Sequence, residues 1–168
     1  GRRLEIAARI LSRAQGNPFF IQSIVIGLRE TYGDSLAGIP ERAEDIALPH
    51  SVQEVLLSRL DRLGEAERAL LKGGSVIGRV FALDAVRVIW SESLDSDVVD
   101  DALRRLNLAA LVSIESRAPL FAAFQHVLIR DVCYTTLLPG VRQAMHRRFV
   151  LYLEEALGQG ARGASALL

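Results

Sequence analysis

The apolar pattern of this chain changes period twice, and no other feature constrains its fold as much. Up to Ala109 the apolar residues recur at helical spacing, apart from one aperiodic stretch between Tyr32 and Leu48. Leu111-Val112-Ser113-Ile114 and Leu120-Phe121-Ala122-Ala123-Phe124 then form two short strand-like runs around the polar turn Glu115 to Pro119. Helical spacing resumes at Val127 and holds to Leu157. The pattern predicts a mainly α chain with one β-hairpin inserted late.

Helix starts and stops can be placed residue by residue. A first helix is expected from Arg2 to Ala14, with Leu4, Ala7, Ala8 and Leu11 on one face and Gly16 ending it. Asn17 is a good N-cap because its side-chain oxygen can accept from an orphan backbone N–H. Pro18 follows at the first helical position, where a missing N–H costs nothing, so a second helix should run to about Thr31. Ser51-Val52-Gln53-Glu54 is a capping box that opens a third, with Val52, Val55, Leu56, Leu60 and Leu63 on its apolar face. Glu65 and Glu67 suit the first turn of a fourth, where the helix dipole favours negative charge. That helix should reach about Val76, its last turns weakened by Gly73-Gly74 at about 1 kcal/mol per glycine. Helices at Leu83 to Trp90 and Ser96 to Ala109 precede the hairpin, and helices at Val127 to Leu138 and Val141 to Leu157 follow it.

Three helices followed by a hairpin is the order of a winged helix, which is therefore expected for Glu65 to Gln125. The fold class expected is mainly α: a helical segment, a winged-helix domain with a small β-hairpin, and a C-terminal helical pair. The expected divisions are a helical segment with its connecting loop at 1–48, a winged-helix domain at 49–138, the first helix of a repeat region at 139–157 and a flexible tail at 158–168. Arg2 to Ala14 opens without a capping residue and no methionine begins the chain, so a segment of a longer protein is expected.

Charge and composition limit the function classes. Half the residues are apolar and 24% charged, and 20 basic residues balance 20 acidic ones. A neutral chain lacks the excess positive charge that drives counterion release from nucleic acid. The helix that would enter a DNA groove carries Asp95, Asp97, Asp100 and Asp101 against Arg104 and Arg105, which argues against DNA binding through it. The longest apolar stretch, Phe19 to Leu28, is broken by Gln22, Ser23 and Gly27 and falls short of the about 18–20 residues that span a bilayer. No membrane contact is expected. The lone Cys133 and the lack of a signal peptide point to the cytoplasm.

Catalytic and metal motifs are not found. Lys72, the sole lysine, has no glycine-rich loop before it, so no Walker A motif is present. His50, His126 and His146 are far apart and none has a partner at metal-ligand spacing. The chain itself is not expected to be an enzyme. Trp90, Tyr134, Phe149 and Tyr152 read as core aromatics. Arg142, His146, Arg147 and Arg148 read as a solvated face or a dock for an acidic neighbour; Arg59 and Arg62, beside Asp61, could reach phosphate or another subdomain but read first as a soluble helix face. Two places carry a second reading. Gly16-Asn17-Pro18-Phe19-Phe20 is either a capped helix start with aromatic core residues or part of a site. His126, where strand gives way to helix, is either satisfied by backbone or able to meet an anion drawn to the helix N-terminus.

Five blocks in order carry a family resemblance: Ala14-Gln15-Gly16-Asn17-Pro18-Phe19-Phe20, Leu48-Pro49-His50-Ser51-Val52-Gln53, Leu57-Ser58-Arg59-Leu60-Asp61-Arg62-Leu63, Ser75-Val76-Ile77-Gly78-Arg79-Val80-Phe81, and Phe124 to Leu138. Together they resemble the signal-transducing ATPases with numerous domains, the STAND ATPases related to the AAA+ proteins. The nearest likeness is to regions attached to bacterial class III adenylate/guanylate cyclases and large LuxR-type transcriptional regulators. The resemblance implies the end of a helical lid subdomain, a winged helix and the start of helical repeats, following a P-loop core. It implies ATP or ADP as ligand, with Mg in the longer parent chain, which would be a slow ATPase or a cyclase. Its Gly-x-Pro element, with proline against adenine, falls on Gly16 and Pro18, with Asn17 beside them, and its phosphate-contacting histidine falls on His126. Gln125 and Val127 depart from the family's Met-His-Asp, and Gly73-Gly74 stands where relatives carry small helix formers. The partners implied are the preceding core, the following repeats and an effector domain. A protein-interaction scaffold with a degenerate winged helix and no nucleotide contact is the competing reading.

Overall fold

A computed structural model describes residues 2–33, 40, 46, 48–90, 96–117 and 120–165. The chain forms two compact units, Gly1–Arg62 and Leu63–Leu168. Among the described residues it is mainly helical with a single three-stranded antiparallel sheet.

The first unit holds α1 (Arg2–Ala14), α2 (Pro18–Tyr32) and α3 (Val52–Asp61). Between α1 and α2 the chain turns within three residues: Gln15 and Gly16 take φ of 47° and 80°, and the Asn17 N–H bonds the Ala14 carbonyl at 2.9 Å. Ile10, Ala14, Phe20, Ile24 and Leu28 pack with Ile46, Leu48 and Val55 in one core. This corrects two expectations at once. The boundary expected in the loop 32–48 is not there, because Ile46 and Leu48 return to the α1–α2 core, and α3 belongs to this unit rather than to the winged helix. Much of the connecting loop, 34–39, 41–45 and 47, lies outside the described residues.

An ion pair made by a buried arginine helps explain the allegiance of α3. Arg59, expected on a soluble face, is only 4% exposed, and its Nε lies 3.3 Å from Glu30 of α2. Burial lowers the Arg59 pKa, the nearby Glu30 carboxylate opposing that shift. Arg62 adds a longer contact to Glu30 at 3.8 Å.

The second unit begins with α4 (Glu65–Ile77), whose Glu67 side chain reaches back to the Gly64 N–H. It continues through β1 (Val80–Ala82), α5 (Leu83–Trp90), α6 (Ser96–Leu108), β2 (Val112–Arg117), β3 (Leu120–Phe124), α7 (Val127–Thr135) and α8 (Pro139–Ser165). The sheet order is β1-β3-β2, with Val80 opposite Ala123 and Val112 opposite Phe124. The expected hairpin is β2–β3, with a register shift between Ile114 and Ser116. β1 completes the sheet; at three residues it is too short to show an alternation in sequence.

Gly73-Gly74 does not break α4. A Cβ on Gly73 would come within 2.8 Å of Val86, and one on Gly74 within 2.9 Å of the Phe81 ring. The two glycines let α5 and β1 approach the α4 backbone, and Phe81 then meets Phe124 with ring centroids 5.2 Å apart. α7 ends at Thr135, short of the expected Leu138, and α8 continues as helix through 158–165, where a flexible tail was expected. Arg148 donates to the Ile89 carbonyl at 2.9 Å and so ties α8 to α5.

Candidate functional site

The sequence-predicted residues fall in different units. Gly16, Asn17 and Pro18 belong to the first, His126 to the second. Gly16 is required for its backbone rather than for space: φ is +80°, and nothing lies within 4 Å of where a Cβ would sit. The Asn17 Oδ1 accepts from the Phe20 N–H at 3.2 Å, Pro18 occupies the first turn of α2, and Phe20 enters the core. The capped-start reading therefore accounts for Asn17 and Phe20. Gly16 and Pro18 are left exposed at the corner between α1 and α2, where the proline ring is a small apolar plane open to a flat ligand.

His126 is the N-cap of α7. Its backbone is extended, and its Nδ1 accepts from the Leu128 N–H at 3.2 Å. In the neutral ring that hydrogen bond puts the proton on Nε2, so the imidazole presents a donor edge at a helix N-terminus, the polarity an anion requires. The backbone-satisfied reading is met by Nδ1, and the ring is half-buried.

A third location was not anticipated from sequence. A cleft of about 870 Å³ in the first unit is lined by α1 residues Arg9, Ser12 and Arg13, by Gln15 and Asn17 at the corner, and by His50 ahead of α3. The Arg13 Nη1 lies 2.6 Å from the His50 Nδ1. The Arg9 Nη2 reaches the Ile46 carbonyl at 3.5 Å, while its Nη1 is buried with no hydrogen-bond partner among the described residues. The visible signal was Arg9 and Arg13 at i,i+4 on α1, which places them on one face. The approach of His50, 37 residues away, could not be read locally.

Several basic residues elsewhere are engaged. Arg104 bonds Asp101 at 3.3 Å, and Arg105 pairs with Asp101 and with Glu67, the latter at 3.7 Å. Both arginines of α6 thus already face carboxylates. On α8, Arg142 lies over the Tyr134 ring at 4.3 Å, as does Arg130 of α7 at 5.0 Å, and His146 bonds the Tyr134 hydroxyl at 2.9 Å. Two members of the patch expected to be a solvated face or an acidic dock, Arg142 and His146, thus also meet α7, while His146, Arg147 and Arg148 remain exposed. No cluster of potential metal ligands occurs among the described residues, and no helix among them is long and apolar enough to cross a membrane. Set against known protein families, curated proteins and solved structures, the chain matches none of them.

Proposed function

We propose that this chain is the regulatory part of an ATP/ADP-dependent signalling switch, acting together with a P-loop core that precedes it in a longer protein. The observation that carries the reading is the division into two compact units, each bearing one of the two expected nucleotide contacts. Pro18, exposed beside Gly16, would meet the adenine, and the Nε2 donor of His126 would meet the β-phosphate. ADP then favours the arrangement in which both contacts are made. Exchange for ATP shifts the population only by the difference in affinity of the two states, and release of the winged-helix unit passes the signal to a cyclase or transcription effector. Magnesium and any hydrolysis belong to the preceding core. The chain's own residues bind and report; none performs chemistry. Both α6 arginines already face acids, which supports a winged helix used for contacts within the protein rather than for DNA.

The test separates the phosphate contact from the helix cap. His126→Ala removes both, whereas His126→Ser keeps a good cap and removes the imidazole. In the parent protein both variants are expected to lose ADP more readily and to raise basal output, with only His126→Ala lowering thermal stability. Unchanged ADP retention and output in His126→Ser would refute the assignment. Pro18→Ala probes the adenine side.

One observation favours the scaffold reading instead. α8 exposes Val150, Leu151, Leu153 and Leu157, an apolar surface more suited to protein packing than to a nucleotide. A parent chain whose output is insensitive to Pro18→Ala and His126→Ser but collapses when these side chains become polar would be a scaffold.

A further inference from the structure

We propose that the cleft of the first unit binds a small phosphorylated molecule, with the phosphate held by Arg9, Arg13 and His50. The site lies within Gly1–Arg62 and shares Asn17 with the expected nucleotide element, but neither Pro18 nor His126 lines it, and its phosphate donors are different residues.

The donor set is the first argument. A guanidinium has no acceptor, so for Arg13 to bond the His50 Nδ1 the ring must carry its proton on Nε2. That leaves an imidazole N–H and the rest of the Arg13 fork as donors in one neighbourhood. Arg9 adds a second fork one turn away on α1, with a buried Nη1 that meets no acceptor among the described residues. Buried donors are almost always satisfied, and an unmet arginine nitrogen beside a cleft marks where an acceptor is wanted. No carboxylate is among the described residues that line the cleft. The nearest acid on α3, Glu54, is engaged by the His50 backbone N–H at 2.6 Å. Two planar forks with an imidazole match a phosphate, whose several oxygens can take bidentate and single bonds together.

Size and lining supply the second argument. About 870 Å³ is within the range of small-molecule sites and far more than an inorganic phosphate fills. The phosphate therefore arrives on an organic body. Phe20 and Leu48 give that body an apolar wall, and Ser12, Gln15 and Asn17 offer neutral hydrogen-bonding groups.

The experiment titrates the whole 168-residue chain, isotopically labelled, with pyrophosphate and separately with adenosine, following amide shifts by NMR. Saturable shifts with pyrophosphate are expected at the amides of residues 8–15, Leu48 and His50. Arg13→Gln and Arg9→Gln should each weaken them about tenfold, with Arg13→Lys intermediate and circular dichroism unchanged. Adenosine, lacking phosphate, should leave those amides where they are. Four results overturn the proposal: no saturable response to millimolar pyrophosphate, a response that survives Arg9→Gln/Arg13→Gln, shifts centred instead on residues 126–129, or binding to phosphatidylglycerol vesicles with none to pyrophosphate. A failure of the His126 test in the parent protein leaves these outcomes untouched.

Discussion

Replacing Gly74 by alanine sets two opposing effects against each other. In an ordinary helix interior the change is favourable by about 1 kcal/mol, because alanine loses less backbone entropy. At Gly74 the new methyl would meet three atoms of the Phe81 ring at 2.9 Å, so the ring must recede by about 0.5 Å to reach ordinary contact. Phe81 is 1% exposed and backed by Phe124, so it has nowhere to go without moving the sheet. Overpacking of this kind costs about 1–3 kcal/mol, and taking the upper half of that range leaves a net loss of about 1–2 kcal/mol. For a unit of this size the midpoint should fall by roughly 4–8 °C per kcal/mol. The sole tryptophan, Trp90, lies in α5 of the second unit, so its fluorescence reports that unit's transition. Gly27→Ala in α2 is the control: nothing lies within 4 Å of its Cβ position, and it should stabilise by about 0.5–1 kcal/mol as read by circular dichroism. Adding Phe81→Leu to Gly74→Ala should recover part of the alanine penalty. If Gly74→Ala raises the Trp90 midpoint, the glycine pair is a propensity defect after all and the close-approach argument fails.

Three further outcomes follow from geometry already described. Glu30→Gln leaves the Arg59 guanidinium buried without that carboxylate, and should cost about 2 kcal/mol in urea unfolding, less than for a fully buried pair because Glu30 is 31% exposed; a change too small to measure would mean the pair contributes nothing. Cys133 is buried and its pKa is pushed up to about 12, so it should resist thiol reagents until the unit unfolds. Because the unfolded thiol ionises first, stability attributable to Cys133 is intact below about pH 8.5 and is lost as pH rises toward about 12, with a slope of at most about 1.4 kcal/mol per pH unit that Cys133→Ala should remove; equal slopes in the two proteins would contradict this. Ala110→Gly relieves a positive φ of 53° after α6 and should stabilise the second unit by about 1 kcal/mol, whereas a loss would show that Ala110 carries packing of its own.

Local signals in the sequence were read well where a single residue type does one job. Asn17, Pro18 and Ser51 mark helix starts because each satisfies or removes a specific backbone donor, and all three do so in the fold. The hairpin was legible because two short apolar runs, 111–114 and 120–124, flank the polar turn Glu115 to Pro119. What stayed hidden depends on distance along the chain. The membership of α3 rests on a Glu30–Arg59 pair and on Ile46 and Leu48 returning to an earlier core. Gly73-Gly74 looked like a weakness because helix propensity is local while the ring and methyl groups that need the space come from β1 and α5. The Arg9–Arg13–His50 cleft joins positions separated by 37 residues, and a histidine just ahead of a capping serine gave no reason to look back to α1.

α4 packs against α5, α6, α7, α8 and β1, so every one of these neighbours uses the same helix as its floor. Leu70, Leu71 and Val76 of this helix are buried in the folded unit. The amides of α4 should therefore exchange with solvent only when the whole unit opens, and their exchange rate becomes a direct readout of its global stability. A signal that displaces α4 therefore reaches α5, α6, α7, α8 and β1 together.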